Sequence, residues 1–325
     1  MKRIVSCSVM LVLLLAAFST VGLAATYQFG ASAYDPKIEF NVLIEAGIRE
    51  MAQKYGVDVN MVYTDLDAEK ELQATERFIR MKKDALIINP LDSESVYPSL
   101  VKAKQANIPV AITDTAPNEE GMKLVSVLVT SDNYDGGRKA GELMVKVLGG
   151  KGNIVMTEYE FRSAVMDQRY AGFLDAIKGT GVKVIERVGV DGTRESALAK
   201  LTPILAKHPD LDGIFCSQGD PAIGALAAVE AAGRQKKIKI ISFDVESEVA
   251  QAIKRGSAIV AGVTQFPDEM GRRAVVELIN VLKGKPVNKT IYLPVLPVTR
   301  ENIDLLIKDR KAFLEKYGGG YKVTN

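Results

Sequence analysis

One arrangement is written twice in this chain, and it constrains the fold more than any other feature. In the first copy an apolar run at residues 85–88 stops at Asn89-Pro90. A helical pattern follows, with Val96, Leu100, Val101 and Lys104 at three- and four-residue spacing. Residues 105–109 break it, and a second apolar run, 110–113, delivers Asp114. Proline cannot donate to a sheet ladder and disfavours helix at the residue before it, so the stretch reads as strand, helix, parallel strand. In the second copy the run is 213–217, the break is Gln218-Gly219-Asp220-Pro221, the helix is 223–232, and the strand 239–243 delivers Asp244. An amphipathic segment precedes each copy, at 70–82 and 195–207. Two α/β halves with polar groups at equivalent strand ends predict two similar lobes facing one another. In open parallel sheets ligands sit beyond the carboxyl ends of the strands, which would place Asp114 and Asp244 on opposite walls of one cleft.

Residues 1–24 stand apart. Lys2-Arg3 form a positive start, 4–18 an apolar stretch and Gly22-Leu23-Ala24 a small-residue cleavage site, the outline of a secretory signal peptide cut near Ala24. The apolar stretch is short for a membrane span, and Cys7 sits too early for a lipid-modified cysteine. Loss of Lys2 and Arg3 takes the 42 basic residues down to the number of acidic ones, 40. A neutral mature chain lacks the basic excess that holds nucleic acid by phosphate neutralisation. Only Cys216 survives cleavage, so no internal disulfide forms, and its apolar strand favours a buried small hydrophobe. With His208 the single histidine, a His/Cys metal site is not available, and no cofactor is expected.

The rest of the mature chain follows the same grammar. Residues 27–33 read as a first strand, 40–55 as a helix capped by Gly56, and 57–63 as a second strand. A loop is expected at 115–121 and a strand at 125–130. At 131–137 the chain changes character, and Asp135 is placed to cap a helix running to Leu148. Gly136, Gly137 and Gly141 do not match a dinucleotide fingerprint and read as close helix packing. Strands at 153–157 and 183–188 flank a helix at 167–178. The run 258–263 and the break at 264–267 suggest a return to the first lobe, where a helix at 268–282 would pack. Pro294 and Pro297 flank a third crossing, and 301–317 reads as one final amphipathic helix. The expected division is 25–131 plus 266–294 for an N-terminal lobe and 132–265 plus 295–325 for a C-terminal lobe.

In order along the chain, residues 88–93 (INPLDS), 105–110 (QANIPV), Ser131-Asp132-Asn133 with Gly136-Gly137, Ser242-Phe243-Asp244 and 265–268 (QFPD) resemble the ribose/galactose-type periplasmic sugar-binding proteins. The resemblance runs from about Thr26 to about Lys285. It implies a type I periplasmic binding protein fold, two doubly wound parallel-sheet lobes joined by a three-crossing hinge. It also implies a monomeric, periplasmic solute receptor that binds a small sugar or polyol and passes it to an ABC-type permease. The family's ligand residues fall on Asp114, Arg169, Gln218, Asp244 and Gln265. Its first-loop aromatic pair falls on Phe40 and Asn41, and the serine of that loop falls near Tyr34. Where ribose receptors carry an arginine after the first aspartate this chain has Thr115, and where they carry a stacking phenylalanine it has Gly192. These departures argue against ribose and suggest a wider cleft.

The residue types suit the task. Sugar hydroxyls both donate and accept; carboxylates take two donors, while guanidinium and amide groups give fixed ones. Phe40 and Tyr34 offer flat surface, with Tyr159 and Phe161 as further candidates. Three alternatives remain open: a sugar-responsive transcription regulator, which would need a DNA-binding head; an exported carbohydrate-active enzyme using Asp114 and Asp244 as a carboxylate pair; and a receptor for a non-sugar ligand such as a furanose signal molecule. Against the enzyme, Arg169 is expected to keep both carboxylates ionised.

Overall fold

The computed structural model describes residues 27–160 and 163–324, so the expected signal peptide and Phe161 lie outside the described residues. The first nine elements alternate: β1 (Tyr27–Ala33), α1 (Glu39–Tyr55), β2 (Val57–Tyr63), α2 (Ala68–Arg80), β3 (Ala85–Ile88), α3 (Tyr97–Gln105), β4 (Val110–Thr113), α4 (Glu119–Leu124) and β5 (Val127–Ser131). A second series follows: α5 (Asn133–Val147), β6 (Lys151–Tyr159), α6 (Ala164–Ile177), β7 (Gly181–Val190), α7 (Arg194–Lys207), β8 (Leu211–Cys216), α8 (Gly219–Ala231), β9 (Lys239–Phe243), α9 (Ser247–Arg255) and β10 (Ile259–Thr264). The chain ends with α10 (Pro267–Leu282), β11 (Thr290–Leu293), β12 (Leu296–Thr299), α11 (Ile303–Lys308) and α12 (Arg310–Tyr317).

The strands form two six-stranded sheets, ordered β11-β5-β4-β3-β1-β2 and β12-β10-β9-β8-β6-β7. Strand for strand, the second order repeats the first. All pairings are parallel except β12, which closes its edge antiparallel to β10. Each sheet is covered on both faces, which explains why the core strands read as continuous apolar runs. In the first sheet one face meets α1 and α10, through Ile44, Ile48, Met270 and Val275. The other meets Phe78 and Leu100 of α2 and α3. Cys216 is buried among the apolar residues of the second sheet.

The chain passes between the sheets three times, after β5, after β10 and between β11 and β12. The first and third passages are tied together: Asp132 N donates to Leu293 O at 3.0 Å. Lys139 Nζ also donates to Val295 O at 2.8 Å.

Four local expectations need correction. Asp132, not Asp135, caps α5 by accepting from Asp135 N at 2.9 Å, while Asp135 pairs with Arg138 and Lys139. The expected loop after Asp114 contains the short helix α4, started by Asn118, which accepts from Gly121 N at 2.8 Å. Helix α9, between β9 and β10, has no counterpart in the sequence reading. The final helix is two helices, because Asp309 leaves the helical conformation and caps α12 by accepting from Ala312 N at 2.9 Å.

Of the glycines expected to serve helix packing, Gly137 and Gly141 do so against α6, while Gly136 faces the Phe243 ring and Val295 instead. A Cβ at Gly137 would lie 2.1 Å from Arg169 O, and one at Gly172 would lie 2.0 Å from Tyr134 O, so α5 and α6 cross backbone against backbone. Gly47 and Gly271 do the same for α1 and α10, at 1.8 Å from Asp268 O and 2.1 Å from Ile44 O. Gly137→Ala should therefore force α6 outward and destabilise the protein by about 1–3 kcal/mol, the usual cost of overpacking. Urea denaturation of the variant against wild type measures it; equal midpoints would mean the crossing yields freely.

Candidate functional site

Asp114 and Asp244 each follow the fourth strand of their own repeat, β4 and β9, and adopt the same unusual backbone. Their φ angles are 65° and 79°, in the left-handed region that few non-glycine residues enter without a holding interaction. The interaction is the same in both lobes. Asp114 N donates to Val129 O and Asp244 N to Val263 O, each at 2.9 Å, so the neighbouring strand fixes the bend. Thr130 Oγ1 adds a bond to Asp114 O at 2.6 Å. The bend turns each carboxylate from the strand line toward the space between the sheets.

Asp244 is the better supported of the two. Gln265 Nε2 donates to its Oδ1 at 2.7 Å, and Arg169 Nη1 lies 3.6 Å from its Oδ2. Arg169 is itself held on several sides. Its Nε donates to Asn133 Oδ1 and its Nη1 to Ser217 O, both at 2.9 Å, and its guanidinium lies 3.8 Å above the Phe243 ring. Such stacking with fixed forks is a use arginine serves and lysine does not. Among the described residues Asp114 has only Thr115, whose Oγ1 donates to Oδ2 at 3.3 Å, and its Oδ1 is buried with no partner.

Burial dominates the electrostatics. It raises the Asp114 carboxyl to about 6, against a lowering by Arg169 and a further rise from Asp244. Burial raises Asp244 too, although Arg169 and Gln265 oppose it. The expectation that Arg169 would leave neither carboxyl raised is thus corrected: desolvation outweighs one guanidinium, although a carboxyl at about 6 is still mostly ionised at neutral pH. Tyr34, just past β1, is pushed up by burial and by the Asp114 charge, with a further contribution from Asp244. Its phenol thus senses charges from both sheets.

The remaining expected residues divide. Phe40 lines the cleft wall with Asp244 and Gln265, and its other side belongs to the core between α1 and the first sheet. Asn41 is fully buried behind that wall. Its Nδ2 donates to Asp35 O at 2.8 Å and its Oδ1 accepts from Asn89 Nδ2 at 2.7 Å, so it orients Asn89. Gln218 stands at the start of α8 with Oε1 buried and unpartnered. Gln265 likewise has a buried, unpartnered Oε1. The widening expected at Gly192 is not found. A Cβ there would lie 3.1 Å from the Tyr159 ring and 3.4 Å from Gln218 Oε1, so Tyr159 borders that space.

Three residues were missed. Asn89 occupies the strand end of the first lobe that Gln218 occupies in the second, and its Oδ1 is buried without a partner; the repeat itself was the available signal. Glu246, two residues after Asp244, lines the cleft, and burial together with the Asp244 charge pushes its carboxyl far up. Arg310 reaches the cleft from beyond the repeat, where no internal comparison could point to it. Among the described residues no group of histidine, cysteine, aspartate and glutamate is placed to hold a metal ion.

Two wound α/β lobes, three crossings and a polar cleft at matching strand ends define a hinged, two-lobed binding protein. A family profile described as a periplasmic binding protein domain matches residues 29–286, and the chain belongs to that family. It is 30% identical over 276 residues to the ribose import binding protein RbsB of Bacillus subtilis, covering 85% of this chain and 88% of that one. A solute-binding protein from Agrobacterium vitis, solved with bound D-fucose, superposes with a TM-score of 0.77 at 26% identity, covering 85% of this chain and 97% of its own. One from Mycobacterium smegmatis, solved with bound glycerol, gives 0.79 at 26% identity over 86% and 96%. The family and these relatives are binding proteins, not enzymes.

The raised Asp114 carboxyl has a consequence for stability. The folded protein holds this proton more tightly than the unfolded chain, so the contribution is full below 3.8 and is lost as pH rises through about 6. Asp114→Asn removes the titration. The melting temperature of wild type minus that of the variant should fall between pH 4 and pH 7. Glu71, raised to about 7 by burial, titrates in both proteins and cancels in the difference. A flat difference would show that Asp114 is ionised at little cost.

Proposed function

We propose that this protein is an exported receptor that binds a small sugar or polyol between its lobes and delivers it to an ABC-type permease. The observation that carries the reading is the matched pair of cleft aspartates, set at equivalent bends and accompanied by unpartnered acceptors on Asp114, Gln218 and Gln265. Groups of this kind require donors, and a ring of vicinal hydroxyls supplies several at once. The carbohydrate and polyol ligands named for its relatives support the same class. The lobes in this reading comprise 25–131 plus 266–294 and 132–265 plus 295–325, and the receptor works as a periplasmic monomer. Tyr34, Phe40, Asp114, Thr115, Arg169, Gln218, Asp244 and Gln265 face the ligand, with Asn41 acting through Asn89.

Thermal-shift and calorimetric titration of the mature chain with pentoses, hexoses and polyols tests the reading, since a ligand that binds the folded state raises the melting temperature by mass action. At least one should bind, with D-ribose weaker than the best, because Thr115 offers one hydroxyl rather than a fork of donors. Asp244→Ala should weaken the best ligand by 30-fold to several-thousand-fold, corresponding to about 2–5 kcal/mol for one partner of a buried charged set. No binding across the whole panel would overturn the sugar reading.

A further inference from the structure

The chain beyond β12 is built into both lobes. Ile303, Leu306, Phe313 and Leu314 belong to the core of the second sheet. The last residues then reach α10, which packs on the first lobe. Glu269 is fully buried there, and its Oε1 accepts from Tyr321 OH at 3.1 Å, Thr324 N at 2.8 Å and Thr324 Oγ1 at 2.5 Å. The tail thus makes a fourth link between the lobes, in addition to the three crossings.

Arg310 stands in the middle of that link. The Asp309 cap starts α12 one residue earlier and so fixes where the Arg310 side chain leaves the helix. Nη2 donates to Gln265 O at 2.7 Å, at the second crossing, and the guanidinium lies 5.8 Å from the Phe266 ring. Gln265 is the residue whose side chain holds Asp244. On the other side, Arg310 Nε lies 3.8 Å from Asp268 Oδ1 in the first turn of α10, and both atoms are buried without a hydrogen-bond partner. A hydrogen bond forms at about 3 Å, so a sub-ångström approach of α10 to α12 would complete the pair. Asp268 Oδ2 is already held by Arg272 Nη2 at 2.6 Å, so the approach would give its free oxygen and Arg310 Nε their missing partners.

We propose that Arg310 is a positioning residue of the binding cleft and that the C-terminal segment is a clasp that holds the lobes together. Arg310 fixes the Gln265 backbone, Gln265 fixes Asp244, and the Asp268 pair tightens as the lobes approach. The cleft role rests on the sugar-receptor reading; the clasp does not.

The test uses the full mature chain with Arg310→Met and the charge-preserving Arg310→Lys. Nitroxides on cysteines introduced at exposed Gln53 in α1 and Gln251 in α9 report the interlobe distance by pulsed electron resonance without sugar. Arg310→Met should give a longer, broader distribution, with Arg310→Lys between it and wild type. A distribution matching wild type overturns the clasp, and Arg310→Lys decides the point if the methionine variant does not fold. In titrations with D-fucose, D-ribose and glycerol, Arg310→Met should bind about tenfold more weakly, as expected for a lost hydrogen bond from a charged group. Arg310→Lys should recover part of that loss. Unchanged affinity at an unchanged melting temperature overturns the positioning role. If wild type binds none of the three, the sugar reading loses that support, while the spin-label distances still decide the clasp.

Discussion

The structure depends on keeping Asp244 buried and charged groups arranged around it. A carboxylate taken out of water is costly unless its oxygens are satisfied. Here Gln265 bonds one oxygen and Arg169 faces the other. Each of those partners is held in turn, Arg169 by Asn133, Ser217 and Phe243, and Gln265 by Arg310. The set joins β9, α5, α6, the strand end after β8, the second crossing and α12. Disturbing any one of these elements alters how Asp244 is presented. The site is therefore a property of the second sheet as a whole and of the hinge.

The first lobe treats Asp114 differently. The backbone bend is the same, but among the described residues no guanidinium lies within ion-pair distance and only Thr115 bonds its carboxylate. Burial raises both carboxyls and the Arg169 charge opposes the rise in each, while Asp244 alone also has the Gln265 bond to oppose it. The two lobes thus offer equal scaffolds, with one carboxylate firmly organised and the other dependent on what approaches it. The helix crossings are alike in the two lobes. Gly47 with Gly271 and Gly137 with Gly172 each bring two helices to backbone contact, and the second crossing sets Arg169 against α5.

The fold was legible because the repeat announces itself. Strand ends marked by Asn89-Pro90 and Gln218-Gly219, each followed by a helix and a strand delivering aspartate, give the two sheets and their cleft with few alternatives. The parts that were misread are those without periodic or duplicated signals. Asp309 interrupts an apolar pattern that otherwise runs from Ile303 to Leu314, and nothing in the spacing distinguishes a cap from a solvent-facing residue. Asp132 and Asp135 are both suitable caps, and only the start of α5 decides between them. Arg310 was invisible for a different reason: its contact with Gln265 crosses 45 residues and joins a tail to a hinge. The charge state of Asp114 required the burial itself, which composition cannot supply.

The lobes already touch across the cleft mouth, where Glu39 of α1 accepts from Ser247 N and Oγ of α9, the latter at 2.6 Å. These are exposed bonds and contribute little alone. The contacts near the hinge are buried: Thr324 on Glu269, and Arg310 beside Asp268. Buried charged bonds contribute more than exposed ones because water competes less for them. Lobe association is therefore weighted toward the hinge side, where the C-terminal segment lies, and the mouth is the weaker edge. In such an arrangement the mouth is where opening would cost least, since domain closure elsewhere bends about a few terminal residues at a hinge. The aspartates lie between those edges, so ligand hydroxyls that bond Asp114 and Asp244 together would add to the weak edge rather than replace the strong one.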